Sequence, residues 1–259
     1  MIWLKHDFSW DGWLTKGIAR RCALVVGVST AVLESVRSSS LTAVAYNGLE
    51  PRTVRPTEGR AALAELVPTE GPVVVLVGRL HPVKGHLELV EAAPLILEKN
   101  REVHFLFVGG PDPNTPEHEA VVRRRVAELK LSDRVTFAGH RDNIAEIATG
   151  ADIAVMPSVR LSARQGREGF PLVGLEMMAA GTPVVAYADG GVPELFGDCG
   201  VLVTSGDRAG LGSAVVELLA DSERYASLAS CGETRVRNQF TFEAVVATMQ
   251  RHYMEVAAS

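Results

Sequence analysis

Residues 166–194 read GREGFPLVGLEMMAAGTPVVAYADGGVPE, and the secondary structure of this stretch decides the class of fold. Pro171 suits the first turn of a helix, where its missing N–H costs nothing, so Pro171–Ala180 predicts a helix. PVVAY at 183–187 then predicts a buried strand, and Gly190-Gly191 a loop open to positive φ and close backbone approach. From Phe170 to Ala180 every residue except Glu176 is apolar, Gly or Pro. A carboxylate buried there without a partner would cost several kcal/mol. A second acid, Glu168, stands eight positions earlier, just outside the helix.

The same alternation of apolar strand and helix runs through most of the chain. Strands are predicted at 23–28, 42–47, 73–78, 104–110, 134–139, 152–158, 183–187 and 200–203. Helices are predicted at Ser29–Arg37, Gly85–Glu98, Pro116–Leu129, Ile144–Thr149, Pro171–Ala180, Ala209–Ala220 and Ser222–Gln239. Continuous apolar strands separated by helices call for a parallel sheet covered on both faces. Right-handed crossovers make that a doubly wound, Rossmann-like α/β domain. The expected layout is a partial β-α-β remnant over 1–50, a linker over 51–70, the main domain over 71–240 and a last helix within 241–259. Pro51, Pro56, Gly59 and Pro68 mark the linker. The first fifty residues, with two strands and a stretch holding Trp3, Trp10 and Trp13, are too few for an independent domain of this kind.

Composition narrows the class. The chain has 259 residues, 47% hydrophobic and 22% charged, with a formal net charge of −5. It can bury a sizeable core, and nothing in its balance points to nucleic acid. Arg123–Arg125 sits in a polar helical pattern and reads as a solvated face. Cys22, Cys199 and Cys231 match no metal spacing and are expected as reduced thiols in a cytoplasmic protein. No apolar run is long enough to span a bilayer, and no signal peptide is recognised.

Three elements carry chemistry. GRLHPVKGH at 78–86 places Arg79 and Lys84 at the carboxyl edge of the sheet, where ligands of open α/β sheets bind. Arg offers a planar fork to phosphate oxygens and Lys a mobile point charge; two solvated loop cations are the structural alternative. Glu168 and Glu176 are placed to accept from sugar hydroxyls, with first-turn amides around Phe170, Leu172 and Val173 pointing at an anion or hydroxyl. A structural ion pair is the alternative for Glu176. The amides of Gly190 and Gly191 can approach a phosphate or sugar, although a tight turn needs the same residues. Asp-x-Asp is absent from the sequence, so Arg79, Lys84 and helix N-termini are expected to supply the positive charge, with no metal and no cofactor. Among the histidines His81, His86 and His140, loop roles compete with a base role, and His81 lies nearest the expected phosphates.

In this order the pieces GRLHPVKGH, HFLFVGG, VTFAGHRDNI, ADIAVMPS, EGFPLVGLEMMAAGTPVVA and GGVPE resemble the donor-binding half of family-4 glycosyltransferases, retaining enzymes of GT-B architecture. The resemblance covers about residues 71–240. It implies that Arg79 and Lys84 bind a nucleotide diphosphate, that Glu168 contacts the transferred sugar and that Glu176 holds the ribose. Gly78, Gly109, Gly169, Phe170, Leu172, Val173, Gly190 and Gly191 would line sugar and phosphates. The loop from Gly139 to Asn143, His140 included, would pass near the nucleobase. Catalytic roles fall to Glu168, Arg79 and Lys84. The first fifty residues resemble the end of the family's acceptor domain and the last helix the one that crosses back to brace it. The histidine and Gly-rich loop normally supplied by the acceptor half are expected to have no counterpart here.

The expected function is therefore a metal-independent, retaining hexosyltransferase donor domain that binds a nucleotide-diphosphate sugar. Its acceptor side would be completed by a protein partner, a homodimer or a missing half, with membrane contact at most peripheral. Two other functions fit the same residues: a non-catalytic nucleotide-sugar-binding or regulatory subunit, and a nucleotide-sugar epimerase on the same scaffold.

Overall fold

A computed structural model describes residues 1–8, 12–37, 41–68, 70–162 and 166–258. Trp10 lies outside the described residues. In chain order the elements are β1 (Ile2–Lys5), α1 (Trp13–Ala19), β2 (Leu24–Gly27), α2 (Thr30–Leu33), β3 (Thr42–Val44), α3 (Pro56–Ala64) and β4 (Val73–Val77). A 3-10 turn, Pro82–Lys84, leads into α4 (His86–Lys99), β5 (His104–Val108), α5 (His118–Glu128), β6 (Val135–Gly139), α6 (Ile144–Gly150) and β7 (Ile153–Met156). The chain continues through α7 (Leu172–Ala179), β8 (Val184–Tyr187), α8 (Val192–Phe196), β9 (Val201–Val203), α9 (Arg208–Ala220), α10 (Ser222–Gln239) and α11 (Phe242–Ala257).

The larger sheet runs β6-β5-β4-β7-β8-β9 with every neighbouring pair parallel. Its order reverses between β4 and β7, the switch point at which doubly wound sheets open a crevice beyond their carboxyl ends. The apolar strands alternate their burial between two faces. Val75, Leu106, Ala154 and Ala186 pack toward α6, α7 and α8, whereas Val74, Phe105, Val155 and Val185 pack toward α4, α5 and α9. Both faces are covered, which is why these strands read as near-continuous apolar runs.

The first fifty residues are more structured than expected. Besides the two expected strands it contains β1, and the three form a parallel sheet in the order β1-β2-β3. α11 covers one face, with Met249 and Val256 against Leu24, Val26 and Ala45. Phe8, Val28, Ala31 and Val32 belong to the same core cluster as the larger sheet, so the remnant is built onto the main domain. Glu194 of α8 ties them together by accepting from the amides of Thr30 and Ala31 at 2.8 and 2.9 Å.

Two other expectations are corrected. The linker contains α3: Pro56 opens it, and Glu58 reaches back to accept from Arg55 N at 3.0 Å, the reciprocal half of a capping box. Its Gly59 faces Gly150 of α6 so closely that a Cβ would meet Gly150 N at 2.6 Å, which lets the two helices touch. Cys199 and Cys231, expected as reduced thiols, form a disulfide with Cα atoms 5.2 Å apart; nearby, Arg235 of α10 donates to Leu195 O and Glu194 O of α8 at 2.8 Å and holds the end of α8 against α10. Cys22 Sγ donates to Ile18 O. The disulfide removes the thiol-based ground for a reducing compartment. Among the described residues no helix is long and apolar enough to cross a membrane.

Candidate active site

The carboxyl ends of β4 and β7 open into a cavity of about 430 Å³ whose floor is Leu76, Val77, Val155 and Met156. Three polar side chains meet in it. Lys84 Nζ lies 2.7 Å from Glu168 Oε1, and Ser158 Oγ donates to the same oxygen at 2.8 Å. Lys84 and Glu168 side chains are 29% and 18% exposed, sheltered enough for the pair to be only partly screened.

Local sequence explains why Lys84 arrives there. His81 Nδ1 accepts from Val83 N at 3.1 Å and caps the short turn. Gly85 then takes a left-handed conformation, φ 72°, that only glycine adopts freely. A Cβ at that position would strike Pro157 O at 1.8 Å. His81, nearest the expected phosphates, thus acts in the loop as a cap that uses its Nδ1 lone pair.

Gly169, Phe170, Leu172 and Val173 line the cavity with Glu168. The ring of Phe170 is stacked on Tyr46 with centroids 4.8 Å apart, and its carbonyl accepts from Asn47 Nδ2 at 2.9 Å. Leu172 and Val173 open α7, where the first amides have no intrahelical acceptor.

Glu176 lies one turn further along the same face of α7, in an adjoining hollow of about 280 Å³ shared with Arg52, Asp142 and Ala145. It is half-buried, and burial pushes its carboxyl above the usual range. Among the described residues no hydrogen bond or ion pair reaches its side chain, so the structural ion pair considered for it is not formed.

Other expected residues stand apart. Arg79 turns away from the cavity and pairs with Asp112, a buried carboxylate that also accepts from Asn114 N at 2.8 Å. A buried acid needs a counter-charge, and Arg79 is the cation within its reach. Gly78 and Gly109 form the joint behind it, a Cβ at Gly109 meeting Gly78 O at 2.0 Å. His140 is exposed and faces Asp142 at 3.1 Å. The amides of Gly190 and Gly191, expected to face phosphate or sugar, are already engaged. Gly190 N donates to Asp189 Oδ1 and Gly191 N to Glu168 O, each at 2.8 Å. This turn supports the Glu168 loop from behind: a Cβ at Gly191 would meet Gly169 O at 1.9 Å.

Residues outside the larger sheet also join the cavity. His6 and Asp7, just past β1, line it with Lys84 and Glu168, as do Asn47 and Arg167. Docking of the N-terminal sheet places His6 O against Gly169. A short strand ending in Lys-His-Asp was the available signal. Ser158 was missed as well, although it is the polar residue closing the apolar run of β7.

A profile of the family described as glycosyl transferases group 1 matches residues 71–221. The D-inositol 3-phosphate glycosyltransferase of Stackebrandtia nassauensis is 33% identical over 194 residues, covering 71% of this chain and 42% of that protein. The N-acetyl-alpha-D-glucosaminyl L-malate synthase of Bacillus anthracis is 30% identical over 188 residues, covering 71% and 45%. The chain thus spans less than half the length of these relatives. Among solved structures, Anabaena HepE in complex with UDP superposes with a TM-score of 0.86 at 24% identity, covering all of this chain and 72% of that one. Sucrose-phosphate synthase from Thermosynechococcus elongatus gives 0.79 at 31% identity, covering 95% and 61%.

Proposed function

The chain belongs to the glycosyl transferases group 1 family, and from that premise we propose that it binds a nucleotide-diphosphate sugar in the cavity between β4 and β7 and serves hexosyl transfer to an acceptor. The observation that carries this reading is the convergence of Lys84, Ser158 and Glu168 at the switch point of the sheet. HepE, which has this fold, is described with UDP and with UDP and glucose, and that supports the ligand class.

In this reading the diphosphate lies between Lys84 and the N-terminus of α7, whose unsatisfied amides favour anions. Negative charge builds on the diphosphate as the anomeric bond breaks, and preorganised donors of this kind each contribute about 10²–10³ in rate. Arg79 keeps its contact with buried Asp112 and offers the remaining N–H groups of its fork to phosphate oxygen. Glu168 accepts from the sugar hydroxyls and fixes the ring; Glu176, one turn on, accepts from the ribose diol. His6 and Asp7 form the opposite wall and meet the incoming acceptor. Retention follows from acceptor attack on the face the diphosphate leaves, and the side chains named supply the charge without calling for a metal ion. A partner, a second copy or a further stretch of polypeptide completes the acceptor side, since shielding from water and orientation of the acceptor need both walls. A cytoplasmic site of action goes with a donor of this class.

Calorimetric titration of the intact chain with a panel of UDP-, GDP- and ADP-sugars tests this function. Saturable binding of at least one is expected, and binding of none overturns it. Single-turnover assay of the bound donor, with NMR of the product, separates transfer or hydrolysis from mere sensing and from epimerisation.

A further inference from the structure

Ser158 is the one member of the polar cluster with no role in the proposed transfer, and its surroundings are unusually well defined. The hydroxyl is buried, the residue being 8% exposed. The backbone on both sides of it is braced against the loop that carries Lys84. Val159 N donates to Val83 O at 2.9 Å, and Pro157 O abuts Gly85 where no Cβ fits. Ser158 Oγ and Lys84 Nζ are thereby held at one end of Glu168, both on Oε1. Among the described residues no donor reaches Oε2, and Glu168 faces the cavity.

Two donors on one oxygen are more than orientation needs. A lysine on a four-carbon stem is mobile, whereas a serine hydroxyl on a braced backbone is not. A diphosphate in the cavity competes with Glu168 for Lys84. When Lys84 turns to phosphate, the sheltered carboxylate loses one partner, and a sheltered charge left without a hydrogen bond is costly. Ser158 is the donor that remains.

We propose that Ser158 is a positioning residue: it holds Glu168 Oε1 while Lys84 moves to the phosphates, so that Oε2 stays aimed at the hydroxyls of the transferred sugar. This deepens the donor-binding reading and rests on it. The hydroxyl acts on the sugar through Glu168 and has no contact with the diphosphate, so its removal separates the two halves of the donor.

The experiment is calorimetry on the intact chain, wild type, Ser158→Ala and Ser158→Thr, with UDP and UDP-glucose and, in parallel, GDP and GDP-mannose and ADP and ADP-glucose; the pair that wild type binds is compared. Thermal melts confirm that each variant is folded. Ser158→Ala is expected to keep nucleoside diphosphate affinity within about twofold and to weaken the nucleotide sugar about 10- to 100-fold, the range for a hydrogen bond to a charged group. Ser158→Thr, which keeps the hydroxyl, is expected to recover most of that loss. Equal weakening of both ligands, no change in either, or a threonine variant as impaired as alanine overturns the positioning role while donor binding stands. A wild type that binds none of these ligands overturns donor binding, and the role of Ser158 with it.

Discussion

Lys84 Nζ and Glu168 Oε1 are 2.7 Å apart, so the cation assigned to the phosphates and the acid assigned to the sugar hold each other. In sequence the two are separated by β5, β6 and β7. They meet because each follows the carboxyl end of the chain segments flanking the switch point. In the proposed donor complex, Lys84 would leave this pair for phosphate while Glu168 turns its free oxygen to the sugar.

Replacing Lys84 by Ala should therefore weaken both the nucleoside diphosphate and its sugar, each by about tenfold or more, the worth of a charge-assisted hydrogen bond. It also leaves Glu168 with Ser158 alone and should lower the melting temperature. Calorimetry reads the first effect and thermal melting the second; normal affinity would remove Lys84 from the phosphate site.

Glu176 sets stability against binding. Its folded pKa is raised by burial, so between the unfolded and folded values the folded state holds the extra proton. Stability from that proton is present at low pH and lost as pH rises through the folded pKa. Glu176→Gln should accordingly raise the melting temperature at pH 7 while weakening nucleotide-sugar binding about tenfold. A variant that is less stable and binds normally would make Glu176 a structural acid.

His86 is fully buried, with Phe107 edge-on to its ring at 5.2 Å. Burial first, then His118 and Lys84, pushes its pKa down from 6.5 to about 3. The unfolded chain takes up this proton and the folded one does not, so stability is complete above pH 6.5 and falls as pH drops toward 3. The slope is about 1.4 kcal/mol per pH unit for one such group. Denaturant unfolding at pH 7, 6 and 5 should show this decline, and His86→Met should flatten it by about one proton; an unaltered slope would assign the decline to other groups.

The Cys199–Cys231 bond closes a loop with a sequence separation of 32, which the chain-entropy relation values at about 3–4 kcal/mol. Reduction should lower the melting temperature by several degrees. Thiol titration before and after reductant, with melts of each form, checks this. Identical melts of the two forms would contradict it.

Glu194 holds the N-terminal sheet through the amides of Thr30 and Ala31. Glu194→Ala leaves two amides of α2 without their acceptor, at about 1–3 kcal/mol, and should loosen the sheet that brings His6 to the cavity. Hydrogen exchange should rise first in β1 and β2, and unchanged protection there would argue against this tie.

Much of this protein could be read without coordinates, because apolar periodicity is a local property. β4, β5, β7 and β8 are buried on both faces and announce themselves as unbroken apolar runs, and the helices between them leave a doubly wound sheet as the consistent arrangement. Glu168 and Lys84 were legible for the same reason, being polar residues at the ends of such runs. α3 was hidden by the prolines and glycines of its neighbourhood, although Pro56 and Glu58 form a legitimate helix start. β1 was hidden because IWLK at 2–5 offers no β-branched run of the kind that marks the other strands.

Pairing across the chain was decided only in three dimensions. Arg79 belongs to Asp112 because that acid is buried and Arg79 is within reach. The amides of Gly190 and Gly191 belong to Asp189 and to the Glu168 carbonyl because the turn is pressed against that loop. Cys199 finds Cys231 because Arg235 of α10 holds the carbonyl end of α8, and His6 joins the cavity because a whole sheet docks beside it. Strand and helix preferences are written in neighbouring residues. Which charge neutralises which, and what lines a cavity, depends on the low-dielectric contacts made when distant segments come together.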